Sequence, residues 1–304
     1  MSREQPKPLK AYGALPGADR VVDLGDLGPW RPKLVATDLD GTLLDSDGEV
    51  SSRTRAALNA CWDAGIPVVG VTGRGPRLLD SVRHALDSRG IAVLAQGGYV
   101  VDLERDEVLR TVALPRAQAM AVVQRIESVA GELIMAVEDA AEQGEARGEP
   151  LLRVQHGFDW PYPEPAHLLP RNEVLPPGAV LKVFLRSSTL GQDELLARAR
   201  RVVGPADAEV THAGLGFIEV LPPGITKATG LAVALERYGV GFGDVLVFGD
   251  MPNDLPMITA VAEAGGRTVA VANAHPAVRA AAAEGTSGHD ADGVARYLEA
   301  VLDV

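Results

Sequence analysis

Four times in this chain a short apolar run stops on polar residues, and a helix-spaced segment follows. "LVATD" (34–38) leads through a loop to "SSRTRAALNACWDAG", and "IPVVGVTGR" (66–74) leads to "GPRLLDSVRHALDSRG". Towards the other end, "DVLVFGD" (244–250) leads to a helical segment from about Asn253, and "TVAVAN" (268–273) to "PAVRAAAAEG". Apolar runs this short, with no polar alternation, read as strands buried on both faces. Their alternation with helices implies an α/β fold with a parallel sheet covered on both sides. Ligands of such sheets gather beyond the carboxyl ends of the strands. Local signals agree: Ser51 or Ser52 caps the first helix, Gly65 stops it, and Gly90 closes the second. "IAVLAQGGYVVDL" reads as a strand, a Gly-Gly turn and a second strand.

The pattern is interrupted in the middle of the chain. "PRAQAMAVVQRIESVAG" is helical, "ELIMAVED" and "VLKVFLRS" read as strands, and "LGQDELLARARRVVG" as a helix. "AEVTHAGLGFIEVLP" reads as a hairpin around Gly214. An acidic loop, "AAEQGEARGEP", and a stretch with six prolines between Pro161 and Pro177 fit neither a long helix nor a central strand. After Pro223 the βαβ texture resumes with "TKATGLAVALERYG" and ends on "DGVARYLEAVL". The expected organisation is a flexible extension over 1–30, a core from 31–111 and 219–304, and an inserted α+β domain over 112–218.

At 304 residues the chain has room for about two domains. A net charge of −12 argues against nucleic-acid or anionic-membrane partners, which need clustered Lys and Arg. A small anionic ligand stays compatible with it. The one cysteine, Cys61, allows no internal disulfide and reads as a small buried apolar residue. With no apolar signal region at the N-terminus and no membrane-length apolar run, a soluble cytoplasmic protein is expected.

Four segments fall at strand ends or helix starts of the core: "DLDGT" (38–42), "TGR" (72–74), Lys227 and "GDMPND" (249–254). Carboxylates as close as Asp38 and Asp40 repel one another unless a cation intervenes, and Asp250 and Asp254 are expected at the same edge. An all-oxygen set favours Mg2+ over Zn2+. A metal, a lysine and hydroxyl and amide donors at one edge suit phosphoryl transfer, in which a carboxylate can act as nucleophile. Strand alternation would turn both carboxylates of Asp–x–Asp to one side.

Each segment taken singly has a plainer reading: a solvated turn, a strand-to-helix turn, a surface lysine, an N-cap. A calcium loop starting at Asp38 fails, because its sixth position, where glycine is needed, is Leu43. P-loop, dinucleotide-binding and nucleophile-elbow motifs are absent.

The four segments in this order resemble the motifs of the haloacid dehalogenase (HAD) superfamily of phosphatases, over Lys33 to Leu302. "FIEVLPPGITKATGLAVAL", "VANAHPAVRAAA" and "DGVARYLE" are similar to its Cof-type branch, which carries an α/β cap of subclass IIB between the second and third motifs. The resemblance implies a Rossmann-like core with an inserted cap, and an Mg2+-dependent phosphatase of small phosphorylated metabolites. It implies Asp38 as nucleophile and Asp40 as general acid and then base. Thr72, with Gly73, would bind phosphoryl oxygens, Lys227 would neutralise charge, and Asn253 would contact the phosphoryl group. The metal would sit on Asp38, the Asp40 main-chain carbonyl and Asp250, with Asp254 either linked to it or behind those ligands. Position 96 is Gln in "LAQGGY", where the branch often has Asn. Arg74 is a candidate for a substrate phosphate or for a plain salt bridge at a helix start, and His156, Trp160, Tyr162 and His167 for substrate contact or ordinary loop packing. A phosphotransferase or phosphomutase, and a non-catalytic phosphometabolite-binding regulator, are the alternatives.

Overall fold

The first apolar run forms β1 (Leu34–Thr37), and it is buried on both faces. Leu34 and Ala36 join one apolar cluster and Val35 joins another, as alternation along a strand requires. A computed structural model describes residues 30–140, 152–161, 166–212 and 216–303. The extension up to residue 29, most of the acidic loop, Tyr162 and Gly214 lie outside the described residues.

The chain continues through α1 (Ser52–Asp63), β2 (Val68–Val71), α2 (Leu79–Ala85), β3 (Ile91–Leu94), β4 (Tyr99–Asp102) and β5 (Glu107–Thr111). Ser51 caps α1, its hydroxyl accepting from the Thr54 amide at 3.0 Å. The second helix is shorter than its sequence reading. It stops at Ala85, and Asp87 and Ser88, both left-handed (φ 51° and 54°), turn the chain before Gly90. β5 has no sequence signal, because "EVLRT" is a partly exposed edge strand with no apolar face to repeat.

The inserted segment holds β6 (Leu114–Pro115), α3 (Arg116–Ala130), β7 (Leu133–Asp139), β8 (Leu152–Gln155), β9 (His167–Leu169), α4 (Arg171–Val174), β10 (Ala179–Ser187), α5 (Gln192–Val202), β11 (Glu209–His212) and β12 (Ile218–Leu221). Its strands lie in the order β11-β12-β10-β7-β8-β9, with β6 on β10, and all described pairs but β8–β9 are antiparallel. The proline-rich stretch supplies only the short β9 at one end of this sheet and one helical turn, α4. Ala113–Leu221 forms one compact unit. Residues of α3 and α5 pack on one face of its sheet with Val183, Leu185 and Val220. Lys182 and Glu219 form a buried ion pair of 2.8 Å in the same sheet. The Lys182 ammonium also lies 4.6 Å from the Phe184 ring centroid.

The flanking segments form the second unit, joined by α6 (Lys227–Tyr238), β13 (Val245–Gly249), α7 (Leu255–Glu263), β14 (Arg267–Val271), α8 (Pro276–Ala281), β15 (Glu284–Thr286) and α9 (Gly293–Leu302). Its sheet has the order β15-β14-β13-β1-β2-β3-β4-β5 and is parallel from β15 to β3. Leu246 and Phe248 face α1, α2 and α9, while Val245 and Val247 face α6, α7 and α8. Each such fully buried side chain contributes roughly 1.5–3 kcal/mol.

Two glycines decide how closely α6 meets the sheet. A Cβ at Gly230 would lie 2.4 Å from Val93 Cγ1 and 2.5 Å from the Gly97 Cα. Gly97, at φ +109°, answers with a backbone that L side chains rarely adopt. A capping box starts this helix: the Thr229 amide donates to Thr226 Oγ1, and the Thr226 amide donates to Thr229 Oγ1. Gly239, left-handed at φ 66°, ends it.

Candidate active site at the carboxyl edge of the core sheet

β1 lies between β13 and β2, and the chain returns to the β13 side only after visiting β2 and β3. The strand order therefore reverses beside β1, where open α/β sheets form their crevice. Asp38 follows β1, Thr72–Arg74 follow β2, Asp250 follows β13, and Lys227 opens α6. All the motif residues belong to this one unit.

Asp38, Asp250 and Asp254 are buried, and each brings a carboxylate oxygen within 4.8 Å of the others. The Lys227 ammonium sits among them, donating to Asp38 Oδ1 at 2.5 Å and to Asp254 Oδ1 at 2.6 Å. Asp254 Oδ2 accepts from the amides of Asp250 and Met251, both at 2.9 Å. Both oxygens of Asp254 are thus engaged by the protein. Thr42 Oγ1 donates to Asp250 Oδ1 at 3.0 Å. Gly41, at φ +80°, leaves room for that carboxylate, since a Cβ there would lie 2.6 Å from Asp250 Oδ2.

Burial, with Asp254 and Asp40 nearby, pushes the Asp38 carboxyl up to about 7, although Lys227 pulls the other way. Asp250 is also raised, by burial first and then by Asp38 and Asp254. Burial alone would lower Lys227, yet Asp254 and Asp38 outweigh it and hold the ammonium above the usual lysine value. To burial is added a charge imbalance: three carboxylates face one ammonium, a net −2 when all are ionised. A divalent cation would balance it, and the donor set is all oxygen, so the residues present fit such an ion.

Asp40 stands apart from this cluster. β1 ends at Thr37, so strand alternation does not aim Asp40 as the sequence reading supposed. Its carboxylate is held in a fork by Arg74, with Nη2–Oδ1 at 2.6 Å and Nε–Oδ2 at 3.0 Å. The Asp40 side chain remains 58 % exposed. Arg74 Nη1 donates to Ser81 Oγ at 2.9 Å, which braces the fork from α2. Thr72 is fully buried, and its hydroxyl accepts from the Arg74 amide at 3.0 Å. Asn253 Nδ2 donates to Gln96 Oε1 at 3.2 Å.

In the inserted unit, Trp160 stacks on Phe217 with ring centroids 5.8 Å apart and packs edge-on to Phe184 at 5.0 Å, which is ordinary packing. His156 is exposed, and His167 lies half-buried on β9. Sequence reasoning took Thr42 for a turn residue and, at Gln96, noted only the departure from the branch's usual Asn and what it means for substrate contacts there. It also passed over Asn273, whose Nδ2 donates to the Gly41 carbonyl at 2.8 Å. Among these, the adjacency of "GT" to Asp40 was the available signal for Thr42.

The sequence profile of the haloacid dehalogenase-like hydrolases matches residues 35–298. The chain is 26% identical, over 89% of its length and 98% of the relative's, to the 5-amino-6-(5-phospho-D-ribitylamino)uracil phosphatase of Bacillus subtilis. It is 27% identical to the phosphoglycolate phosphatase of Methanothermobacter thermautotrophicus, over 88% of this chain and 97% of that one. A solved HAD subclass IIB sugar phosphatase superposes with a TM-score of 0.70 at 20% identity, covering 88% of this chain and 97% of that chain, a likeness of fold. The chain therefore belongs to the haloacid dehalogenase-like hydrolase family and is a phosphatase of it.

Proposed function

We propose that this phosphatase is Mg2+-dependent, acts on small phosphorylated metabolites, and works through an aspartyl-phosphate on Asp38. One observation carries the reading: Asp38 is buried and hydrogen-bonded to Lys227 within a three-carboxylate cluster beyond the end of β1. The phosphate esters named for its relatives are small and differ from one another, which supports the substrate class rather than one substrate.

Asp38, Asp250 and the main-chain carbonyl of Asp40 would hold the ion. When bound, the ion supplies charge that offsets carboxylate repulsion and stabilises negative charge on phosphoryl oxygens. Asp254, with both oxygens engaged, holds Lys227 and the Asp250–Met251 turn. An Asp38 oxygen attacks phosphorus and the ester P–O bond breaks; Asp40, freed from Arg74 and protonated from solvent as substrate enters, gives that proton to the departing oxygen. Asp40 then takes a proton from water, whose oxygen attacks the phosphorus and breaks its bond to Asp38. Lys227, Thr72, the Gly73 turn and Asn253 receive the phosphoryl oxygens. Arg74 holds the Asp40 carboxylate in one orientation and releases it, or takes a substrate anion, when substrate arrives.

The test is phosphate release from a panel of phosphorylated metabolites with Mg2+ and no acceptor, for the wild type and for D38N. The wild type should release phosphate from at least one small ester, and D38N from none. Undiminished hydrolysis by D38N would sink the mechanism, and product that appears only when an acceptor sugar is added would make the enzyme a transferase.

A further inference from the structure

We infer that Gln96 is a positioning residue for the phosphoryl-binding edge, acting through Asn253 and the Thr72–Gly73 turn. The inference rests on the proposed reading of that edge and deepens it.

Gln96 occupies a left-handed backbone conformation, φ 58° and ψ 18°, directly after Ala95 at φ 49°. Neither residue is a type that adopts this region readily, and two in succession persist only where the surroundings over-determine them. Those surroundings are visible. The Gln96 amide donates to the Thr72 carbonyl at 3.1 Å, and the Ala95 amide to the Arg74 carbonyl at 2.8 Å, so the tight turn is laced to the segment after β2.

The side chain then does two things. Its Oε1 accepts from Asn253 Nδ2 at 3.2 Å, tying the segment after β13 to the segment after β2. Its Nε2 stands 2.7 Å from where a Cβ on residue 73 would be, so the nitrogen end of the amide packs into the space left at Gly73. Gln96 is almost fully buried, and Gly97 immediately after it lies under the first turn of α6, which begins at Lys227. One residue thus touches the Thr72–Gly73 turn and Asn253, while its neighbour abuts the helix that carries Lys227. A plain turn filler would need none of these side-chain contacts, and glycine would relieve the backbone without them.

The experiment measures kcat and KM for p-nitrophenyl phosphate with Mg2+, and the thermal midpoint, for wild type, Q96M, Q96E, N253A and Q96M/N253A. Q96M keeps the volume and removes the hydrogen bonds. It should lower kcat/KM by about 10- to 100-fold, the cost of a misplaced binding group, while the thermal midpoint stays within a few degrees. Q96E keeps an acceptor for Asn253, so it should recover most of kcat, with KM raised by the added negative charge beside a phosphate. In the N253A background, Q96M should cost less than it does alone, since the bond to Asn253 is already broken and only the contact with the Gly73 turn remains to lose.

A Q96M enzyme equal to wild type would overturn the inference. So would a Q96M loss that multiplies in full with that of N253A. If Q96M fails to fold, Q96E decides: a folded Q96E with kcat as low as N253A overturns it. A wild type that releases no p-nitrophenol with Mg2+ instead defeats the reading of the edge itself, a distinct result.

Discussion

Asp254 and Lys227 form an ion pair of 2.6 Å in which neither side chain is more than 1% exposed. The second oxygen of Asp254 is taken by two main-chain amides at 2.9 Å, so this carboxylate fixes both the lysine and the turn that carries Asp250. Without Asp254, Lys227 keeps Asp38 as its carboxylate partner and two buried amides lose their acceptor, so the cost stays below the roughly 3–5 kcal/mol of a buried charge left wholly unpaired. D254A should therefore lose part of that stability and nearly all turnover, as read by urea unfolding and by phosphate release. D254N, which keeps an oxygen for the amides, should keep more of the stability than of the turnover. Equal loss of both by D254N would count against a role in holding Lys227.

The metal-free protein should lose stability as pH rises towards neutrality. Asp38 titrates near an ordinary 3.8 when unfolded and at about 7 when folded. Between those values the folded chain holds a proton that the unfolded chain has lost, so stability falls with rising pH and levels off above about 7. Asp250, raised by the same burial and the same neighbours, acts in the same direction. Mg2+ replaces those protons, so its stabilising effect should grow from pH 5 to pH 7.5. Thermal midpoints in EDTA and in millimolar Mg2+ check this. A metal-free slope as steep in D38N as in the wild type would contradict it.

Thr42 holds Asp250 by a single hydrogen bond of 3.0 Å. Groups that orient a metal-binding carboxylate are typically worth about 10- to 100-fold in affinity. T42V keeps the shape and removes the donor. It should raise the Mg2+ concentration needed for half-maximal activity by about that factor, with a smaller change in kcat at saturating Mg2+. An unchanged Mg2+ dependence would remove Thr42 from the site.

In the inserted unit, Lys182 and Glu219 are buried with side chains 1% and 4% exposed. K182M should cost about 3–5 kcal/mol by stranding Glu219, whereas K182M/E219L should recover most of it, because burying a well-paired charge offers little net gain over apolar packing. Denaturant unfolding of the full chain measures both. A double variant as unstable as the single one would mean that the pair interacts with more of the sheet than its partner.

Much of the core was legible from the residues because its signals are local. A strand buried on both faces must be apolar throughout, so "LVAT" and "VLVFG" announce β1 and β13, and the polar residues that end them announce the edge. Asp38, Asp250 and Lys227 meet there because the parallel sheet leaves their strands and helix one place to end. Caps behave likewise: Ser51 satisfies an amide within a few residues of itself. The exposed β5 lacked such a signal because nothing buries one of its faces.

What required the tertiary structure were the partnerships between residues far apart in sequence. Asp40 is one residue from Leu39 but answers to Arg74, because β1 ends before it and the side chain finds the nearest guanidinium. Lys227 is held by Asp38 and Asp254, which approach from opposite ends of the chain. Gln96, a poor fit to its own backbone, is kept there by the segments after β2 and β13. The sequence by itself determined which elements form and where their polar ends lie, since those follow from periodicity, burial and capping within short windows. Only the folded chain decided which carboxylate faces which cation, because that depends on distances between elements that no local pattern encodes.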